Sequence, residues 1–92
     1  MIKSFKNKET ENLFNDVEVL KYKNIERVAR RKLYLLNSVK TLNELRVPPG
    51  NRLEALEGNR KGQYSIRIND QWRICFNWKE MDSFNVEITD YH

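Results

Sequence analysis

The hydrophobic pattern changes period once, near residue 50, and splits the chain into a helical first half and a β second half. Between Asn24 and Asn37 the apolar residues Ile25, Val28, Ala29, Leu33 and Leu36 recur at three- and four-residue spacing. That spacing predicts an amphipathic helix with Asn24 as its N-cap. Its other faces carry Arg27, Arg30, Arg31 and Lys32, which read either as a solvated surface or as a ridge that faces RNA. Upstream, residues 2 to 5 alternate weakly, as a short strand does, and residues 8 to 15 with Leu13 and Phe14 suit a helix. Residues 16 to 23 lack helical spacing and read as an ordered or mobile connection. Thr41 and Glu44 have the spacing of a capping box for a short turn through Leu42 and Leu45, which Pro48-Pro49-Gly50-Asn51 then breaks.

Past the break the period is two. Tyr64, Ile66 and Ile68 point one way, as do Trp72, Ile74, Phe76 and Trp78, and then Phe84, Val86 and Ile88. A weaker strand from Arg52 to Glu57 precedes them, with Gly58 to Gly62 as its turn. The pattern predicts an α+β domain, a twisted and mostly antiparallel sheet with helices packed on one face. One domain is expected over residues 1–92, because a chain this short buries only about 60 to 65% of its unfolded surface and cannot fill two cores.

Loop lengths allow the register to be argued as well. If Asn69-Asp70-Gln71 is a three-residue hairpin loop, Ile66 faces Ile74 and Arg67 lies directly opposite Arg73. Placing Trp78 opposite Phe84 then sets Arg73 opposite Thr89, which brings the last residues beside both arginines. Like charges facing each other on a sheet are unfavourable, and a phosphate held between the two guanidiniums would resolve the conflict. On that reading, exchanging either arginine for glutamine leaves the melting temperature unchanged or slightly raised. The other reading has the arginines splay apart toward Glu87 or Asp70.

Charge sharpens the picture only in part. The net charge of +4 is uneven, with eleven Lys/Arg against six Asp/Glu in residues 1–46 and six against seven in residues 47–92. A basic surplus favours a polyanionic or acidic partner without naming one. No apolar run approaches a membrane span and the first residues lack a signal peptide's hydrophobic core, so a cytoplasmic protein with no membrane partner is expected. The single cysteine, Cys75, and single histidine, His92, lack the company a zinc site needs, so neither disulfide nor metal nor other cofactor is expected.

Candidate chemistry gathers at Asp90-Tyr91-His92, where an acid, a phenol and an imidazole end the sequence, although a terminal histidine is commonly just a frayed end. Residues 51 to 92, above all Gly62 to Phe76 and Asp90-Tyr91-His92, resemble the HigB toxins of the RelE superfamily, in particular their GraT-like branch. Residues 1 to 5 resemble the family's opening strand. The resemblance implies a RelE-like fold and cleavage of messenger RNA on the ribosome. It also implies neutralisation by a HigA antitoxin, a helix-turn-helix protein through which alone operator DNA would be contacted. It assigns catalysis to Arg73, Asp90, Tyr91 and His92.

Where some HigB toxins carry a histidine and a lysine on the preceding strand, this chain has Glu54 and Glu57. RNA cleavage through the neighbouring 2′-hydroxyl needs a base, an acid and cations for the phosphorane. His92 is the expected base or acid, Asp90 and Glu54 its complements, Tyr91 a donor or stacking group, and Arg67 and Arg73 the phosphate holders. Arg60 and Lys61 in the Gly-flanked turn, with Arg27, Arg30 and Arg31, are the candidates to grip RNA; a solvated turn is the plainer reading of the first two. A ParE-like gyrase poison and a non-catalytic RNA- or partner-binding module are the rival readings.

Overall fold

The computed structural model describes residues 1–90. Four antiparallel strands, β1 (Glu54–Ala55), β2 (Gln63–Arg67), β3 (Trp72–Lys79) and β4 (Asp82–Asp90), form a sheet in that spatial order. Two helices, α1 (Lys8–Phe14) and α2 (Glu26–Ser38), lie against one face. The period-two residues explain the packing, because Ile66, Ile74, Val86 and Ile88 close against Leu13, Ala29, Leu33 and Leu36 in one buried cluster. The α+β reading therefore holds, with the helices on one face as expected.

The outer edge of β4 is covered by the start of the chain. Ile2 and Phe5 bridge to Ser83 and Val86 in parallel, so the weak opening strand is real. Lys3 N donates to the Ser83 carbonyl at 2.8 Å and Lys6 N to the Val86 carbonyl at 2.9 Å. Where this pairing stops, α1 takes over: buried Thr10 accepts from Ile88 N at 3.1 Å. The Asn7 side chain caps α1 by accepting from Thr10 N at 2.9 Å, which fixes the turn that brings Thr10 to β4.

Several local expectations are corrected. Asn24 is not the N-cap of α2; Ile25 holds that position without a side-chain bond, its own N–H taken by the Tyr22 carbonyl at 3.0 Å. The connection from 16 to 23 includes a 3-10 turn, Leu20–Tyr22, anchored by the ring of Tyr22, which is buried and meets Trp72 edge-on at 5.5 Å. Trp78 pairs with Ser83 rather than Phe84, because β3 and β4 are joined by the two-residue loop Glu80-Met81. A β-bulge restores the register: Asn85 adopts φ 53°, and Arg73 faces Thr89 as expected. The bulge also places Ser83 in the interior and keeps Phe84 out of the core cluster.

The capping box is formed at the start of the 3-10 turn Leu42–Arg46. Glu44 accepts from Thr41 N at 2.7 Å and Lys40 N at 2.9 Å, and these N–H donors, with the Thr41 hydroxyl, hold its carboxyl below the ordinary range. Downstream, Pro48 to Asn51 turns the chain toward the edge of β2, where β1 joins it; the second face of the sheet is the one opposite the helices.

Candidate active site

Residues 63, 65 and 67 of β2 and 73, 75 and 77 of β3 share that second face. The hairpin between them is set by Asn69, whose side-chain oxygen accepts from Gln71 N at 2.8 Å and Trp72 N at 2.7 Å. This turn fixes Arg67 opposite Arg73, the register the loop length predicts.

The two guanidiniums nonetheless do not wait on a phosphate. Arg67 turns to Asp70. Arg73 is buried, donating to Ser65 Oγ at 2.8 Å and to the Arg52 carbonyl at 2.8 Å, with Glu54 Oε1 3.9 Å away. The like-charge conflict is thus offset by two carboxylates and a carbonyl. Arg73 braces the crossing segment onto the sheet, and in doing so it sets Glu54 beside itself.

Under that segment lies a cavity of about 310 Å³, lined by Leu56, Glu57, Arg60, Cys75, Thr89 and Asp90. Two carboxylates and a guanidinium thus face one volume, a donor set suited to moving protons and holding negative charge. Arg60 is not a solvated turn residue: its Nη1 spans the face to Glu87 and Gln63, each at 3.0 Å. Gln71 Nε2 donates to Asp90 Oδ2 at 3.0 Å and helps orient that carboxylate. Burial pushes the Cys75 thiol up, so it stays protonated and forms an inert part of the floor. Tyr91 and His92 lie outside the described residues.

Glu54 and Glu57 part company here. Glu57 lines the cavity, whereas Glu54 flanks Arg73, so the residue singled out from the sequence is the one that faces the arginine. Lys61 lines a neighbouring polar cavity that shares Arg60.

On α2 the supposed ridge is smaller than the charge run suggests. Arg30 Nε donates to the Leu13 carbonyl at 2.9 Å and pairs with Asp16 at 3.1 Å, tying α2 to the end of α1. Arg27 and Arg31 are exposed and, with Glu26, Arg30 and Tyr34, line a separate cavity of about 450 Å³.

Lys32 departs furthest from its sequence reading. It is buried, and its ammonium donates to Asn51 Oδ1 at 2.7 Å, while Asn51 Nδ2 donates to the carbonyls of Leu45 at 3.1 Å and Val47 at 3.2 Å. Burial first, then the positive charges of Arg31, Arg67 and Arg73, push its pKa down. This buried lysine therefore pins the turn that delivers Glu54. Only the spacing of Lys32 next to Leu33 and Leu36 hinted at it.

Comparison with known proteins agrees with this architecture. The family model for the RelE-like toxin HigB of type II toxin-antitoxin systems matches residues 3–92. The chain is 47% identical over 62 residues to Toxin HigB-1 of Vibrio cholerae, a match spanning 67% of this chain and 65% of that protein. Endoribonuclease HigB of Proteus vulgaris is 32% identical over 98 residues, covering 100% of both.

Among solved structures, YafQ from E. coli superposes with a TM-score of 0.63 at 13% identity, over 99% of this chain and 92% of that one. The YoeB-YefM toxin-antitoxin complex of Staphylococcus aureus contains a chain matching with a TM-score of 0.62 at 18% identity, over 100% of this chain and 98% of that one. At these identities the likeness speaks to the fold, and it is the RelE-like one. Taken with the match over residues 3–92, this places the chain in the HigB family of RelE-like toxins of type II toxin-antitoxin systems.

Proposed function

We propose that the chain is a toxin that cleaves messenger RNA on the ribosome, as a single catalytic domain over residues 1–92, and that a HigA-type antitoxin neutralises it in the cytoplasm. The observation that carries the reading is the cavity that sets Asp90 with Glu57 and Arg60, beside the braced Arg73. Asp90 is followed in the sequence by Tyr91 and His92, so a phenol and an imidazole come within two residues of a carboxylate that lines this cavity. A relative of equal coverage, from Proteus vulgaris, carries the name endoribonuclease.

The division of labour follows from the groups. The 2′-hydroxyl of the substrate attacks the adjacent phosphorus as the bond to the 5′-oxygen breaks, leaving a 2′,3′-cyclic phosphate and a 5′-hydroxyl. His92 and Asp90 or Glu57 share the work of taking the proton from the 2′-hydroxyl and giving one to the 5′-oxygen. Arg60 meets the charge that builds on the phosphorane, and Arg73, held buried on the same sheet face, adds its positive potential. No metal is required by this route, because the nucleophile belongs to the substrate. With one histidine and flexible RNA, alignment for in-line attack is the scarce element, and the ribosome supplies it.

Primer extension on messages from cells expressing the chain, with and without its antitoxin, tests the proposal. Breaks clustered at A-site codons that vanish in a His92→Ala variant of equal expression are expected. Intact messages in growth-arrested cells would overturn it.

A further inference from the structure

The second cavity on the open face has a composition that the cleavage chemistry does not use. It measures about 470 Å³ and is lined by Lys6, Asn59, Arg60, Lys61, Gln63 and Asn77, and among the described residues its lining holds no carboxylate. That volume falls within the ordinary range for small-ligand sites, about 300 to 1,000 Å³. It abuts the cavity at Asp90, since Arg60 lines both. The two cavities are therefore neighbours with the Arg60 side chain between them.

Two kinds of group meet there. Lys6, from the N-terminal edge, and Lys61, from the turn before β2, form no ion pair among the described residues and leave the cavity positive. Two of its lining residues, Gln63 and Asn77, belong to a row of neutral carboxamides that continues beyond the lining to the exposed Asn85. Asn77 Oδ1 accepts from Gln63 Nε2 at 3.3 Å and from Asn85 Nδ2 at 3.1 Å, and Asn77 Nδ2 donates to the Gly62 carbonyl at 3.4 Å.

The row has a single consistent orientation. A guanidinium only donates, so Arg60, 3.0 Å from Gln63 Oε1, makes that oxygen the acceptor and turns Gln63 Nε2 toward Asn77. Each amide nitrogen of Gln63 and Asn77 keeps a second hydrogen beyond these bonds, and Asn85 Oδ1 accepts nothing among the described residues. Fixed neutral donors beside an acceptor match the edge of a nucleobase, whereas the lysines match a phosphate. A simple anion would use only the second set.

We propose that this cavity is a second RNA subsite, which holds the nucleotide flanking the cleaved bond, its phosphate between Lys6 and Lys61 and its base edge on the Gln63–Asn77–Asn85 row. The assignment rests on the ribonuclease reading above and adds to it a physical origin for sequence preference. Arg60 is then the post between cleavage and recognition.

The test uses the full chain and a fluorescent single-stranded RNA made wholly of 2′-O-methyl nucleotides, which binds but has no nucleophile. Anisotropy titrations over a range of salt concentrations give the slope of log affinity against log salt. In the Lys6→Gln/Lys61→Gln double variant that slope should fall by about 0.7, the value for the one phosphate contact that both lysines share on a single strand. With four homopolymers, Gln63→Met should bring affinities that differ in the parent to a common value, with its circular dichroism unchanged.

An unchanged slope and an unchanged base preference in variants that still bind would overturn the subsite, while cleavage of messages by the parent would leave the ribonuclease reading standing. If Gln63→Met unfolds, Asn85→Asp serves in its place, because its carboxylate removes the amide donor and should reorder the base preference; the same order would count against the subsite. A parent that neither binds these RNAs nor cuts messages would defeat both readings together.

Discussion

Arg73→Met should destabilise the protein markedly, although a like charge lies directly opposite. Removing the guanidinium leaves the fully buried Ser65 hydroxyl and the Arg52 carbonyl without their donor, both at 2.8 Å in the intact structure. The orphaned buried hydroxyl costs about 1 to 3 kcal/mol, and the lost charged hydrogen bond to the part-buried Arg52 carbonyl about 1.5 to 3 kcal/mol. Against this stands relief of the repulsion with Arg67, about 0.2 to 1 kcal/mol. The half-exposed Glu54 at 3.9 Å adds little, because solvent screens it. The balance is a loss of about 1.5 to 6 kcal/mol.

For a domain of this size each kcal/mol lowers the melting temperature by about 4 to 8 °C, so the variant should melt at least about 6 °C lower. Thermal unfolding followed by circular dichroism at fixed pH and salt measures it. A melting temperature within about 3 °C of the parent would show that Arg73 braces nothing and that its bonds to Ser65 and Arg52 are incidental.

Three further outcomes are expected. Glu57→Gln should slow cleavage of translating message by about 100-fold or more, and Glu54→Gln by less, since only Glu57 lines the cavity; equal rates for the two variants would return Glu54 to the proton-transfer set. The depressed carboxyl of Glu44 stabilises the fold above its ordinary value of 4.5 and loses that contribution as pH falls through its lower folded value. Urea titrations of parent and Glu44→Gln should therefore converge below pH 4.5, and a constant gap would contradict the capping-box account. Lys32 is also shifted down, by burial of its charged form: below the ordinary 10.5 the unfolded chain holds this proton more firmly than the fold does, so stability climbs with pH through that window too. The parent should gain on Lys32→Met as pH rises toward 10.5, and parallel curves would show that the ammonium is not buried.

The strands and the site register were legible in the sequence because period two and a three-residue loop leave few choices. Arg67 opposite Arg73 and Arg73 opposite Thr89 follow from counting. That Arg67 turns to Asp70 was one of the two readings, but what Arg73 does was not legible, since it is satisfied by Arg52, whose position depends on a turn set by Asn51 and Lys32. Such a chain of contacts has no periodicity. Lys32 and Arg30 looked like surface charge because a helix face is judged from neighbours in sequence, while their partners are Asn51 and Leu13, 19 and 17 residues away. The bulge did leave a trace: asparagine is the side chain that most readily takes a left-handed conformation, and Asn85 sits where the extra residue enters β4.

The pairing of residues 2 and 5 with β4 also bears on when the molecule can first act. β4 carries Asp90 and lies between β3 and the opening segment, yet it is synthesised after both of its neighbours. Until residues 82 to 90 emerge, the opening segment has no partner strand, the edge of β3 is bare, and Thr10 has no backbone amide to accept from. Contacts spanning some 80 residues of sequence also close slowly. On the ribonuclease reading proposed above, a nascent chain would thus remain inactive until β4 has emerged and closed against both of its neighbours.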